Sequence, residues 1–482
     1  MSDSIFFDTF NAKHKTDAEI ASSFVLPDGT LERLISKDHT VLSGPRGSGK
    51  TTLLKMLTLP ALSNWTAPEA EPLKTSVNFV SVFVAADRSW HGQLTSMAKQ
   101  AQIKEHAELL GMSAFTTHLF KAIITAFIDW SRLEGKAGLF VPRLITELSA
   151  QSERQICSEL ADAWLLRPRA PTFLEMRAAL AKRLADIGLL RNQLRYGVNF
   201  IDQSENRFLM VDYREGLALA VSAHNQASGL PDRRWFFLFD EMEVAPSFVQ
   251  ESVFADLRGQ IDREKISYKL ALAPFNKNFR QSMDAQGISP SNDYLHIDLS
   301  FPRKDKGYEF SRKLCNLMLE QAGMDSTVDD LLGTSFFSFE DEINDDSITT
   351  LGKYSAGRPL GAVFNRLAEK DASFRAYLKD KRIDLSDISA LDEHSLAKSL
   401  RKVRNIVVIR EYFSRPSRSD LQIDQLSARS RKSVIIYTGS PSLLALTEGN
   451  PRSLINLMSP IVAQYVKVEG KRKMNRAGFA GG

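Results

Sequence analysis

Apolar residues along this chain fall into two patterns, short runs and longer stretches with helical spacing. The short runs lie at residues 40–42, 77–84, 235–239, 268–273 and 294–299. Runs of this length predict strands, and the fully apolar run at 235–239 is typical of a central parallel strand covered on both faces. Stretches with helical spacing separate several of the runs, so the pattern predicts an α/β fold built on a parallel sheet.

The remaining apolar positions predict helices. From about residue 92 to 228 they recur at one-turn spacing, for example at Leu119 and Ile123, which indicates a large helical insertion. From about Pro302 onward the pattern is again mainly helical. It predicts helices at residues 305–321, 361–378 and 393–413, and a short β-like run at 433–437 before a last pair of helices.

A glycine-rich segment joins the first predicted strand to a short amphipathic helix that Pro60 is expected to end. It fits the phosphate-binding pattern G-x-x-x-x-G-K-[ST] at Gly44, Gly49, Lys50 and Thr51. Its glycines allow a tight turn that points several N–H groups at one phosphate, while the lysine faces the β- and γ-phosphates. A turn that binds nothing is the alternative. The residues predicted to bind nucleotide phosphates are Gly44, Pro45, Arg46, Gly47, Ser48, Gly49, Lys50, Thr51 and Thr52.

Two adjacent acids, Asp240 and Glu241, follow the third apolar run. Open α/β sheets bind ligands at the carboxyl ends of their strands, so these acids are expected near the phosphate loop. Asp240 and the Thr51 hydroxyl would hold Mg²⁺, and Glu241 would orient and polarise the water that attacks the γ-phosphate. An acid pair favoured by the dipole of a helix N-terminus is the alternative. The predicted cofactors are ATP and Mg²⁺, with Lys50 neutralising charge on the departing phosphate.

Both motifs resemble the Walker A and Walker B motifs of the AAA+ ATPases, in which Glu241 matches the catalytic glutamate. Residues 449–454, Gly-Asn-Pro-Arg-Ser-Leu, resemble the lid motif of the origin-recognition and initiator-like clade. Phe10-Asn11-Ala12 and the Gly-Pro-Arg loop are similar to a bacterial and archaeal group of that clade. The resemblance implies a P-loop NTPase with a parallel sheet core, a helical insertion and a C-terminal helical lid.

The same resemblance implies roles for further polar residues. Asn276, after the strand that follows Walker B, matches the sensor 1 position. Arg452 in the lid motif matches sensor 2, which reaches the γ-phosphate, and Arg358 in Gly-Arg-Pro competes for that role. Members of the family also self-associate and place an arginine in trans; Arg280 lies where the family has it, with an ordinary surface arginine as the alternative.

Composition narrows the class of protein. The 482 residues are 43% hydrophobic and 25% charged, which is ordinary for a soluble protein of two or three domains. Cys157 and Cys315 have no metal-ligand spacing, so structural zinc and a disulfide framework are not expected. We find no membrane-length apolar run and no signal peptide at the N-terminus, so a cytoplasmic protein without a membrane partner is expected.

The net charge of the chain does not identify its macromolecular partner. The net charge is +4, which permits nucleic-acid binding without requiring it. Basic residues cluster between 401 and 432, where they predict either a face that binds duplex DNA or a solvated helix surface. They are Arg401, Lys402, Arg404, Arg410, Arg415, Arg418, Arg429, Arg431 and Lys432.

These observations predict four segments: an N-terminal helical segment (1–39), a nucleotide-binding core (40–301), a helical lid (302–465) and a basic tail (466–482). In the first segment Phe24, Val25 and Leu26 are candidates to wrap the nucleotide base, with core packing as the alternative. The predicted function is an ATPase that couples nucleotide state to conformational change or assembly, with DNA as a candidate partner. The alternative is a slow regulatory switch, for example in anti-phage defence, that acts through an effector protein.

Overall fold

The computed structural model describes residues 15–27, 29–86, 103–132, 148–197, 201–258, 265–290, 292–300, 304–333, 354, 357–385, 393–413 and 439–479. The chain divides into two compact units. The first combines Met1–Met324 with Thr447–Gly482, and the second is Asp325–Leu446. The predictions at residues 10–12 and 433–437 lie outside the described residues, and the four segment boundaries stay predictions.

The first unit is built on a parallel sheet of five strands, which confirms the predicted α/β class. The strands are β1 (Thr40–Ser43), β2 (Phe79–Ala85), β3 (Arg234–Asp240), β4 (Ile266–Leu272) and β5 (Leu295–Asp298). Their spatial order is β2-β3-β4-β1-β5. All neighbouring pairs run parallel, so every strand delivers its carboxyl end to the same edge of the sheet.

The helices of the first unit surround this sheet. Those on the N-terminal side of the insertion are α1 (Asp17–Ser22), α2 (Thr30–Leu34), α3 (Lys50–Met56), α4 (Leu59–Asn64) and α5 (Ala70–Ser76). The helix after the phosphate loop, α3, ends at Met56 and so before Pro60, as predicted. Pro60 is not its stop, however, because it lies in the first turn of the next helix, α4. Proline fits there because its missing N–H would have no helical partner.

The predicted insertion contains α6 (Lys104–Arg132), α7 (Ala150–Ala163), α8 (Phe173–Arg195) and α9 (Tyr213–Ala227). Trp164 stacks on Phe120 at 4.1 Å and donates its indole N–H to the Gly216 carbonyl. A Cβ at Gly216 would lie 2.2 Å from the Phe120 ring, so the absence of a side chain there lets α9 pack directly on α6. These large aromatic contacts make the insertion part of the main core.

Helix α6 is both long and strongly apolar. Among the described residues it is the one helix, at Lys104–Ser131, that is long and apolar enough to cross a membrane by length and composition. However, 61% of its apolar window is buried inside the protein. It packs against β2 and α8. A core helix passes the same compositional test, so the apolar sequence is explained by this packing.

A carboxylate ties the insertion to the sheet. Tyr213 at the start of α9 donates its hydroxyl to Asp256 Oδ2 at 2.5 Å, and Tyr268 of β4 donates to the same oxygen at 3.3 Å. Arg214 donates to Asp256 Oδ1 at 2.6 Å. Burial raises the pKa of Asp256, and these donors oppose that shift because they stabilise its charged form.

Helices α10 (Ser247–Ala255), α11 (Lys277–Gln286), α12 (Lys304–Gln321) and α18 (Pro451–Phe479) complete the first unit. The second unit holds α13 (Val328–Leu332), α14 (Pro359–Lys370), α15 (Ala372–Asp380) and α16 (Glu393–Phe413), and α17 (Ser440–Thr447) ends at its boundary. The single helix predicted at 361–378 is wrong. Asp371 divides it, because its side chain accepts the N–H groups of Ser373 and Phe374 and so begins α15.

Two buried bases hold the amino end of β1. Lys269 of β4 is fully buried and donates to the carbonyls of Ser36 and Asp38 and to the Thr40 hydroxyl, at 2.7, 2.7 and 3.0 Å. Burial lowers its pKa to about 7. His39 accepts the backbone N–H of Tyr268 at 2.9 Å, and burial lowers its pKa to about 4. These contacts fix the strand that enters the phosphate loop.

His224 of α9 is a third buried base, and it sits in the aromatic core. Its ring lies 4.5 Å from Phe127 and 5.2 Å from Trp235, centroid to centroid. Neither ring nitrogen has a hydrogen-bond partner among the described residues. Burial, and secondarily the charge of Arg233, lowers the pKa of His224 to about 3. The histidine therefore packs in its neutral form.

This burial predicts a specific acid sensitivity. Between its ordinary pKa of 6.5 and about 3, the unfolded chain protonates His224 while the folded chain does not, so the stability of the folded state falls as pH falls. In His224→Phe this contribution is absent, and the melting temperature should depend less steeply on pH between 6.5 and 4. Thermal unfolding of both proteins across that range checks this. Parallel curves would contradict the assignment.

Candidate nucleotide-binding site

The glycine-rich loop runs from the end of β1 to the start of α3. Gly47 and Gly49 have φ angles of 87° and 90°, which residues with a Cβ rarely adopt. Gly47 is constrained a second time, since a Cβ there would lie 2.4 Å from the Cβ of Arg452. The loop therefore turns tightly, and the residues around Arg452 pack closely against it.

Lys50 folds back over this loop. Its ammonium donates to the carbonyls of Gly44 at 2.6 Å and Pro45 at 3.1 Å. Burial lowers the pKa of Lys50, and the nearby acids, Glu243 foremost, act in the opposite direction. Charge repulsion from Arg452 also lowers the pKa of Lys50. Lys50 is thus influenced by one further cation, Arg452, and by the carboxylates of Glu243, Asp240 and Glu241.

Thr51 joins the loop to the acidic end of β3. Its hydroxyl donates to Asp240 Oδ2 at 2.8 Å, although β4 separates β1 from β3 in the sheet. Asp240 is buried. A hydroxyl beside a carboxylate forms an oxygen donor set of the kind that Mg²⁺ prefers. No cluster of three or more His, Cys, Asp or Glu side chains suited to a metal occurs among the described residues.

Glu241 follows directly and has an unusual backbone. Its φ and ψ are 55° and 34°, the left-handed region, and it begins a 3₁₀ turn at Met242–Val244. For a residue with a side chain this conformation costs on the order of 1–3 kcal/mol, and such strain often occurs at functional sites. The turn separates Glu241 from the regular strand geometry that Asp240 still follows.

Glu243 is a further candidate site residue, which the sequence motifs do not predict. Its Oε2 is buried and has no hydrogen-bond partner among the described residues. Burial raises its pKa, while the charge of Lys50 lowers it. The signal in the sequence is the third acid in Asp-Glu-Met-Glu, but an acid just after a strand is usually solvated, and only the fold shows that an oxygen of this one is buried.

Asn276 lies at the same edge of the sheet as Asp240, because β3 and β4 are neighbouring parallel strands. Its Oδ1 accepts the N–H of Phe279 and caps α11. The buried Gln250 ties this turn to the one after β3: it donates to the Ala245 carbonyl at 2.7 Å and accepts from Asn278 at 3.2 Å. The two turns are therefore braced against each other.

The lid motif lies against the phosphate loop within the first unit. The backbone N–H of Arg452 donates to the Gly47 carbonyl at 3.3 Å, and Asn450 Nδ2 donates to the Arg46 carbonyl at 3.1 Å. Arg358, the competing sensor candidate, lies in the second unit at the N-terminal end of α14. Arg280 lies on α11, with its guanidinium 5.0 Å from the centre of the exposed Phe275 ring.

An apolar pocket opens beside the loop. It is lined by Phe24 and Val25, by Leu53 of α3, and by residues of α12 and α18 that include Phe310 and Pro451. Ser48, Gly49 and Thr52 of the loop form one wall. Apolar side chains with a few polar groups are the usual lining of a small-molecule site. Phe24 and Leu26 are both packed against the main core, and the Phe24 ring meets Trp65 edge-on at 5.5 Å, centroid to centroid.

The chain was compared with protein-family models, with curated proteins and with solved structures. No curated protein and no solved structure matched the chain. A family model described as ORC-CDC6-like matches residues 6–477, which is nearly the whole chain. The chain therefore belongs to the ORC-CDC6-like family, a family of AAA+ ATPases.

Proposed function

We propose that this protein binds ATP with Mg²⁺ at the phosphate loop, hydrolyses it, and uses the nucleotide state to change its conformation or assembly. One observation carries the proposal, the 2.8 Å hydrogen bond between Thr51 and Asp240. It brings the loop that would bind phosphate and the strand end that would support hydrolysis into one site. The glycine geometry and the apolar pocket beside the loop support the same assignment.

The residues divide the chemistry as follows. Thr51 and Asp240 would hold Mg²⁺, which supplies neutralisation of the β- and γ-phosphate charge when bound. Glu241 orients a water and accepts its proton as the water oxygen bonds to the γ-phosphorus and the bond to the β–γ bridging oxygen breaks. Lys50 stabilises the charge that develops on the γ-phosphate oxygens. For that, its ammonium exchanges the carbonyls of Gly44 and Pro45 for phosphate oxygens.

Two further residues extend this scheme. We assign Asn276 to orient the attacking water or the γ-phosphate from the turn after β4. Arg452 contacts the γ-phosphate from α18, supported by the contact of its backbone with Gly47 and by the electrostatic coupling between Arg452 and Lys50. We also propose a cytoplasmic location and self-association that supplies an arginine in trans.

The roles of Lys50 and Glu241 are separable by experiment. Glu241→Gln should keep ATP and Mg²⁺ binding and lose about 10²-fold or more in turnover, because the amide cannot accept a proton. Lys50→Ala should lose binding or turnover, since it removes the loop cation. Equilibrium ATP binding and phosphate release measure both. Loss of ATP binding in Glu241→Gln, or wild-type turnover in Lys50→Ala, would overturn the assignment.

The sensor role of Arg452 predicts discrimination between nucleotides. Arg452→Ala should weaken ATP binding or turnover about 10-fold or more, because it removes a charge-assisted contact to the γ-phosphate. ADP lacks that phosphate, so its affinity should change much less. Arg358→Ala is the matched control and should leave both affinities near wild type. Equal losses for ATP and ADP in Arg452→Ala would indicate a damaged lid instead.

One observation favours DNA as the partner over an effector protein. The described part of α16 exposes Arg401 and Lys402, whereas Arg410 of the same helix pairs with Asp371 at 3.1 Å. Arg404 is half-buried, and the basic residues at 415, 418, 429, 431 and 432 lie outside the described residues. Exposed cations that form no ion pair within the described part of the chain are suited to phosphate contacts.

This surface predicts salt-dependent DNA binding. Arg401→Ala with Lys402→Ala should weaken binding to duplex DNA and reduce the slope of log affinity against log salt by about 1 for each phosphate that is no longer neutralised. Fluorescence anisotropy at several salt concentrations, with ATPase rates measured with and without duplex, provides the test. A wild-type protein without DNA affinity at low salt would favour the alternative, a slow regulatory switch that acts through an effector protein.

A further inference from the structure

Four consecutive carbonyls of the phosphate loop are hydrogen-bonded in two different ways. Those of Gly44 and Pro45 accept from Lys50 within the loop. Those of Arg46 and Gly47 accept from the lid motif, from Asn450 Nδ2 and the Arg452 N–H respectively. The tip of the loop therefore depends on residues about 400 positions away in the chain for its hydrogen bonds.

Asn450 uses both ends of its carboxamide. Its Oδ1 accepts the N–H groups of Arg452 at 3.1 Å and Ser453 at 3.3 Å, which caps the first turn of α18. Its Nδ2 donates to the Arg46 carbonyl at 3.1 Å. The same side chain thus starts the helix that carries Arg452 and holds that helix at a fixed distance from the loop.

We propose that Asn450 is a positioning residue that couples the phosphate loop to α18 and so aligns Arg452 with the γ-phosphate. The inference rests on the proposed ATP site and extends it to a residue that does not itself touch the nucleotide. Gly47 makes this close contact possible. Its missing Cβ admits Arg452 and Asn450, whose Oδ1 would lie 2.9 Å from a Cβ at that position.

The carboxamide is the feature to test, because it alone performs both tasks. Serine is a good helix cap but is too short and has no amide N–H to reach the loop. Asn450→Ser therefore keeps the cap and removes the hydrogen bond to the loop, whereas Asn450→Ala removes both. Thr172→Ala is the matched control, since it removes only a side-chain cap, the one that Thr172 provides to the Glu175 N–H on α8.

The experiment measures ATP affinity, ADP affinity and melting temperature without nucleotide for each variant. Asn450→Ser should weaken ATP binding about 5- to 10-fold, the effect of removing one hydrogen bond, with ADP affinity changed less than about 2-fold. Its melting temperature should stay near wild type. Thr172→Ala should lower the melting temperature and leave the ratio of ATP to ADP affinity unchanged.

A double-mutant cycle decides whether Asn450 acts through Arg452. Asn450→Ser combined with Arg452→Ala should bind ATP no more weakly than Arg452→Ala alone, because the arginine being aligned is already absent. Additive losses, or equal losses for ATP and ADP, would overturn the proposal. If wild type binds ATP in a Lys50-dependent way while Asn450→Ser matches it, only this inference fails. Absence of ATP binding by wild type would overturn the proposed function as well.

Discussion

The hydrogen bond between Thr51 and Asp240 is the interaction on which the site depends. It spans the width of two strands, because β4 lies between the strand that precedes Thr51 and the strand that ends at Asp240. Such a contact requires that both strands run parallel and end at the same edge. The sheet therefore brings the predicted phosphate loop together with the predicted acids, and the lid motif reaches the same loop from the end of the chain.

The strands of this sheet carry buried or half-buried charged side chains at both of their ends, and burial disfavours the charged form of each. Lys269 is fully buried with its three donors satisfied, and it anchors the amino end of β1. Lys50 and Glu243 are half-buried near the carboxyl end of the sheet, and burial shifts the pKa of each toward its neutral form. The first arrangement is structural because every proton of the ammonium has an acceptor. The second keeps an acid oxygen without a hydrogen-bond partner among the described residues, which is typical of a functional site.

The residues of the lid motif both begin helix α18 and contact the phosphate loop. Asn450 and Pro451 start α18 by ordinary capping rules. The same residues also approach the phosphate loop, which is possible because Gly47 has no side chain. If the loop binds nucleotide as proposed, this contact is the route by which a change in the loop would reach the helix that carries Arg452.

The α/β class, the parallel sheet, the family and the residues of the loop could all be predicted from the amino-acid sequence, because short apolar runs and fixed motif spacing are local properties. Local patterns also misplaced features: Pro60 begins a helix, and Asp371 divides one, since capping competes with periodicity. The fold adds what the motifs do not contain: the direct hydrogen bond from Thr51 to Asp240, the burial of Glu243 Oε2, and the hydrogen bonds that Asn450 and the Arg452 backbone make with the loop. These contacts depend on the order of the strands and on side chains from distant segments that pack together. The local pattern of residues predicts neither of them.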